Sequence, residues 1–272
     1  MGKDTFRENS VIVTGASSGI GRCLALQLAE RGAWLTLAAR SSTQLETVAG
    51  LCADRGGRAI AVSTDVSDQN QCRTLVERAA EEYGRIDTLV NNAGMGMRAR
   101  FDELVDLSVM KKVMDTNFWG SVYCTRYALP HLRETKGRLV AIISGAGLFV
   151  APNGCGYGAS KHAQAGFFDT LRFELAGTGV SVTTIYPDWV ATGISARACG
   201  ADGSPAGELS PLEQGAMSPD RCAQLILAAT GKRKRSAMSK RQRLGLLLTP
   251  IFPGYVDSTA GHAFAGDRCR PG

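Results

Sequence analysis

The sequence predicts an α/β fold: one doubly wound parallel sheet with helices on both faces. Three observations predict it. Apolar runs of strand length alternate with longer stretches of helical period along most of the 272 residues. The short runs are apolar nearly throughout, as strands covered on both faces are. The chain also carries 32 glycines, which suits a fold with many tight turns or close backbone approaches.

The elements follow in order. "SVIVT" at 10–14 reads as a first strand and 19–32 as a helix closed by Gly32. "AWLTLAA" at 33–39 is a second strand, followed by a helix over 43–55. A third strand at 58–66 leads to a helix over 69–83 that stops before Gly84. The fourth strand, 86–94, breaks into a loop at "NNAG". A long helix at about 106–133, interrupted near Pro130, precedes a fifth strand at 137–144. A helix over about 156–176, a sixth strand at 179–187 and a helix at 218–230 complete the pattern. A last strand belongs near 234–239, although "KRSAMS" has poor strand propensity. No internal repeat or second boundary is evident, so 1–272 reads as one domain. The Gly-, Ala-, Ser- and Pro-rich stretch 188–217 is a long irregular excursion of the kind that carries function.

Composition excludes several classes. No apolar run is long enough to span a bilayer, and the polar opening "MGKDTFRENS" is not a secretory leader. A cytoplasmic location is expected. Eight cysteines without any C-x-x-C, and three histidines that never cluster with them, argue for reduced thiols and against a metal site. The net charge of +6 is carried by 232–243, "KRKRSAMSKRQR", which holds seven cations, so the rest of the chain is about neutral. That pattern is not a general nucleic-acid binder, and none is expected as a partner. The basic run has three readings: a solvated rim, attraction to anionic lipid helped by "LGLLLTPIF" at 244–252, or an import-type patch. Peripheral membrane contact through 232–252 is the second of these.

The first strand runs directly into "TGASSGIG". Gly15, Gly19 and Gly21 leave room for backbone amides at the start of the next helix to grip a pyrophosphate, with Ser17, Ser18 and Ile20 between them. The second strand ends "LAARSS", placing Arg40 and Ser41 where an acid would recognise an unphosphorylated ribose. An arginine there favours a 2′-phosphate, hence NADP(H) over NAD(H); a solvated arginine is the plain alternative. In "YGASK", Tyr157 and Lys161 are four residues apart, one helical turn and about 6 Å along one face.

These motifs resemble those of the short-chain dehydrogenases/reductases, whose Rossmann-type fold and redox activity the resemblance implies. "TGASSGIG" matches the cofactor loop, "NNAG" at 91–94 the motif after the fourth strand, and "YGASK" the Tyr-x-x-x-Lys pair. Ser144 stands 13 residues before Tyr157, Asn117 lies in "MDTNFWGS", and "YPDWVAT" at 186–192 resembles the Pro-Gly-x-Val-x-Thr segment. The matches run in order from about 10 to 192.

The resemblance implies that Tyr157 exchanges a proton with the substrate oxygen while hydride moves at the nicotinamide. A free phenol with a pKa near 10 is a poor base, so Lys161, together with the positive charge of an oxidised nicotinamide, is expected to lower it, and Lys161 is expected to hold the nicotinamide ribose. Ser144 is implied to polarise the reacting carbonyl and Asn117 to anchor a water behind Lys161. Asp65 and Val66 match an adenine contact, with a turn or N-cap role as the equal alternative for Asp65. Asn91, Ala93 and Gly94 match the loop beside adenosine, and Pro187, Val190 and Thr192 the segment at the carboxamide.

Departures are Asp188 for the usual glycine and Ile143 for a first serine. Phe149, Trp189 and Met97 are expected to make an apolar pocket for a hydrophobic ketone or secondary alcohol, and no arginine pair is evident to clamp a carboxylate. The family implies a homodimer or homotetramer formed by the long helices. A non-catalytic NADP(H)-binding sensor or scaffold is the competing class.

Overall fold

Along the first strand, successive side chains point to opposite faces. Val11 and Val13 enter one apolar cluster and Ile12 the other, so this strand is covered on both sides. The computed structural model describes residues 5–150, 152–213, 215–249, 251–252 and 254. Cys269, His262 and the end of the 232–272 segment lie outside the described residues.

The first half of the chain alternates β1 (Ser10–Thr14), α1 (Gly19–Ala29), β2 (Trp34–Ala39), α2 (Ser42–Ala53), β3 (Arg58–Ser63), α3 (Gln69–Tyr83) and β4 (Thr88–Asn91). The second half runs α4 (Ser108–Met114), α5 (Gly120–Glu134), β5 (Arg138–Ile142), α6 (Cys155–Glu174), β6 (Ser181–Tyr186), α7 (Pro219–Gly231), β7 (Ser236–Met238) and α8 (Lys240–Leu248). The seven strands form one parallel sheet in the order β3-β2-β1-β4-β5-β6-β7. Strand order reverses between β1 and β4, which opens a crevice beyond their carboxyl ends. On one face lie α1, α2 and α7, packed through Leu24, Leu28, Leu45 and Ile226. On the other lie α3, α5 and α6, packed through Leu75, Leu132 and Phe168.

Local chemistry sets the boundaries. Ser41, Asp68 and Ser218 cap α2, α3 and α7 by accepting from backbone amides of the first turn. Gly84 closes α3 at φ +67°. The long helix expected at 106–133 is not interrupted at Pro130, which lies inside α5. The irregularity falls earlier, in a π-helical turn at Asp115–Trp119 between α4 and α5. Such one-turn widenings mark functional sites more often than strain alone would place them.

The last strand does form despite its weak propensity. Its approach is pinned by the Arg235 carbonyl, which accepts from the Thr184 backbone amide at 3.1 Å and from Arg172 at 3.2 Å. The basic run therefore divides. Arg233 donates to the carbonyls of Lys136, Gly137 and Gly179 and ties the loops before β5 and β6, while Lys240, Arg241 and Arg243 lie exposed on α8. Among the described residues, no helix is long and apolar enough to cross a membrane.

Candidate active site

A cavity of about 730 Å³ opens along the carboxyl ends of the strands, from Arg40 to Ser210. Two glycines shape its floor. Gly15 has φ +66°, and a Cβ there would sit 2.9 Å from the Ala93 backbone; Gly19 has φ +53°, with Thr192 at 3.2 Å. Together with Ser17, Ser18 and Ile20 they leave the amino end of α1 facing the cavity, a cradle suited to a diphosphate. Gly21 lies just outside the wall. A Cβ there would meet the Gly15 carbonyl at 2.2 Å, so its smallness serves the turn itself.

Arg40, Ser41, Asp65, Val66, Ala93 and Gly94, expected at the adenosine end of a dinucleotide, all stand in the wall. Arg40 is exposed, and among the described residues no carboxylate pairs with it. Ser41 also caps α2, accepting from Gln44 at 3.4 Å. Asp65 is a turn acid: its Oδ1 accepts from the Ser67 amide at 3.0 Å and hydroxyl at 2.7 Å, while the cap of α3 falls to Asp68. Asn91 does not reach the cavity. It is buried and donates to Thr125 at 3.0 Å, joining β4 to α5. Its neighbour Asn92 takes the wall position and donates to the carbonyls of Thr14 at 2.8 Å and Gly15 at 3.3 Å.

At the opposite end Ser144, Tyr157 and Lys161 meet in the wall. Ser144 follows β5 with φ 149° and ψ 161°, a region that glycine normally occupies and that costs any other residue strain. Its Oγ accepts from the Ala146 amide at 3.1 Å. Lys161 is buried at 3% exposure, with Nζ 5.8 Å from the Tyr157 ring centroid. Nζ donates to the Ile142 carbonyl at 3.1 Å and to Gln164 Oε1 at 2.8 Å.

Burial pushes the Tyr157 phenol up, with the Ser144 side chain pulling the other way. Burial also pushes the Lys161 ammonium down to about 7. Desolvation is the largest cause for both groups. Asn117 sits on the π-helical turn and is fully buried outside the wall. Its side chain accepts from the Met95 amide at 2.8 Å and donates to the Met95 carbonyl at 3.0 Å and to Ser160 Oγ at 2.9 Å.

Pro187, Asp188, Val190 and Thr192 line the cavity beside Ser144. Of the three residues expected in the substrate pocket, Met97 and Trp189 line the wall. Phe149 does not; its ring packs against Gly245 of α8, where a Cβ would approach it to 2.9 Å. Besides Arg40, the wall holds Arg98 and Arg197. A bridge between Met97 and Cys199 joins the two segments that carry them. Each is engaged by backbone: Arg98 donates to the Glu208 carbonyl at 3.2 Å and Arg197 to that of Thr192 at 3.0 Å.

The excursion at 188–217 is held in place by a residue the sequence did not single out. Buried Glu213 accepts from the amides of Gly193 at 3.2 Å and Ser195 at 3.1 Å. No local pattern marks it, since both partners are about twenty residues away. Among the described residues, no cluster of three or more His, Cys, Asp or Glu could hold a metal.

A family model described as short chain dehydrogenase matches residues 9–200. The 11-beta-hydroxysteroid dehydrogenase 1A of Arabidopsis thaliana is 46% identical over 181 residues, which cover 66% of this chain and 52% of that protein. The 11-beta-hydroxysteroid dehydrogenase A of Sesamum indicum is 42% identical over 181 residues, with the same coverage. The chain spans about half the length of these relatives. Among solved structures, an alcohol dehydrogenase from the archaeon Thermococcus sibiricus, complexed with 5-hydroxy-NADP, is 27% identical. It superposes with a TM-score of 0.73 over 84% of this chain and 94% of that one.

Proposed function

The chain belongs to the short-chain dehydrogenase family, and from that premise we propose that it is an NADP(H)-dependent oxidoreductase interconverting a carbonyl and a secondary alcohol. The observation that carries this reading is the meeting of Ser144 and Tyr157 in the wall of the cavity, with Lys161 one turn along α6 from the tyrosine. The glycine cradle and the cavity beyond it fit a dinucleotide, and Arg40, with no carboxylate partner among the described residues, suits a 2′-phosphate.

When bound, the nicotinamide supplies or accepts the hydride. The chain's own residues handle the oxygen and its proton. In the reducing direction Tyr157 donates its hydroxyl proton to the substrate oxygen as the carbonyl becomes an alcohol; in the oxidising direction the phenolate takes it back. A phenol raised by burial is held protonated at neutral pH and stands ready as the donor. The Ser144 hydroxyl, fixed by its own turn, offers a second hydrogen bond where charge develops on that oxygen. Lys161 places a cation behind the ring, and Asn117 locks the start of α6 against the loop after β4.

Met97, Trp189 and Ile194 give the far end of the wall an apolar face that suits a hydrophobic substrate such as a steroid or lipid-like ketone. The names of the two plant relatives point the same way. Arg98 and Arg197 add a cationic edge for a polar substituent at the opposite end of such a molecule. The test is a panel of ketones with NADPH and NADH on the wild type and Arg40→Ala. Preference for NADPH that falls in the variant supports the reading. Tight NADPH binding without turnover across the panel moves weight to a binding protein.

The reading extends to assembly. Phe118, Trp119, Tyr123 and Phe167 form a run of ring contacts across α5 and α6, with Trp119 43% exposed. This face on the two long helices suits a second copy of the chain. Exposed Lys240, Arg241 and Arg243 on α8 lie beside exposed Leu244 and Leu247, a pairing that suits an anionic lipid surface. Pelleting with vesicles containing phosphatidylserine, but not with neutral ones, is the expected result.

A further inference from the structure

The four-residue spacing of Tyr157 and Lys161 says nothing about what holds the lysine. In the fold, that role falls to hydrogen bonds whose directions are fixed. A lysine ammonium has three N–H donors and no acceptor. Two are used, on the Ile142 carbonyl at 3.1 Å and on Gln164 Oε1 at 2.8 Å. The third is left for the cavity whose wall Lys161 joins.

Gln164 lies one turn further along α6 and is 1% exposed. Its Nε2 donates to Ser121 Oγ of α5 at 2.7 Å, and the Ser121 hydroxyl donates to the Asn117 carbonyl at 2.8 Å. A hydroxyl has one hydrogen, so Ser121 has only lone pairs to offer Gln164. The glutamine amide is thereby forced to turn its NH₂ toward Ser121 and its carbonyl toward Lys161. A leucine or methionine of similar volume would fill the same space without presenting an acceptor.

We propose that Gln164, oriented by Ser121 and the Asn117 carbonyl, is a positioning residue that holds the Lys161 ammonium in the cavity wall and favours its charged form. The inference rests on the reading of Tyr157 and Lys161 given above. A buried cation without water needs fixed oxygen dipoles in its place. Among the described residues, no carboxylate bonds to Lys161. The charged and titratable groups sharing its cavity are Arg40, Asp65, Arg98, Tyr157, Asp188 and Arg197. On the neighbouring elements, Asp115 of the π-helical turn pairs with Lys111 of α4, and His162 of α6 faces the Gly158 carbonyl. The Ile142 and Gln164 oxygens are what remains to stabilise the charge, and of the two only Gln164 is a side chain that substitution can alter.

The experiment compares the full-length wild type with Gln164→Met, Gln164→Glu and Ser121→Ala. Lys161 is followed by NMR titration of ¹³Cε-labelled lysine, assigned with Lys161→Met, and in parallel the pH profile of turnover is recorded. Loss of the acceptor in Gln164→Met lowers the Lys161 midpoint by about one pH unit, and the alkaline limb of activity moves down with it. A carboxylate in Gln164→Glu moves both upward, and Ser121→Ala gives a smaller shift in the methionine direction. Opposite shifts from two substitutions at one buried site are not what a packing role produces. The proposal is overturned if Gln164→Met and Gln164→Glu leave the midpoint unchanged or move it in the same direction. Because the titration needs no substrate, absence of turnover in the wild type contradicts the oxidoreductase reading while the role of Gln164 is still decided.

Discussion

At the scale of single residues, the proposed proton chemistry rests on Tyr157, and its substitution separates catalysis from binding. Tyr157→Phe keeps the ring and removes the hydroxyl, so turnover is expected to fall about 10²- to 10⁴-fold while NADPH affinity, measured by fluorescence titration, stays within about threefold. Lys161 gives a pH test of a different kind. Its folded value, near 7, lies below the ordinary lysine value near 10.4. Between those two pH values the unfolded chain binds more protons than the folded one, so this group makes stability rise with pH across that window, and the gain is lost as pH falls through 7. Lys161→Met is expected to flatten the slope of urea-unfolding free energy between pH 7 and 10. Tyr157, Lys161 and the glycines at 15 and 19 were legible because their meaning lies in short spacings. Gln164 and Glu213 were not, because each acts through contacts with other elements. Asn91, expected in the loop that steadies the sheet, bonds to Thr125 of α5, while its neighbour Asn92 takes the cavity wall. The strained backbone at Ser144 carries no mark in "IISGAG".

At the scale of elements, the turn from β1 into α1 is fixed by contact distances. A Cβ at Gly21 would lie 2.2 Å from the Gly15 carbonyl and 2.6 Å from the Asn92 side-chain amide, which is itself hydrogen-bonded to the carbonyls of Thr14 and Gly15. Gly21→Ala is therefore expected to destabilise the protein by about 1–3 kcal/mol in chemical denaturation, as overpacking does. The 188–217 segment gives the complementary case. Glu213→Ala removes the acceptor of two backbone amides and frees the part of the wall formed by Thr192 to Ala198. Steady-state kinetics are expected to show KM rising about tenfold with kcat little changed. Helix and strand positions were largely readable because strands buried on both faces stand out as apolar runs. The π-helical turn was missed because residues 115–119 keep a helical composition, and Pro130 drew the break to the wrong turn. β7 looked improbable because its place is set by pairing with β6 and by Arg172 and Thr184 donating to the Arg235 carbonyl, not by strand propensity.

At the scale of the whole molecule, the sheet order places the glycine turn, Arg40 and Tyr157 along one crevice, at the reversal between β1 and β4. The same topology carries α5 and α6 to the outside, where Trp119 and its ring neighbours form the face assigned to a second copy. Trp119→Glu is expected to shift the mass in light scattering toward the monomer. Fold class was legible from the alternation of elements alone, whereas the arginines at the cavity edge emerged only once the excursion was folded back over it. The most direct test of the central claim is NADPH-linked turnover of hydrophobic ketones by the wild type and Tyr157→Phe, at matched NADPH saturation. Turnover of at least one ketone by the wild type, lost in the variant with NADPH still bound, is the expected result. Equal turnover in both proteins would contradict Tyr157 as the proton donor.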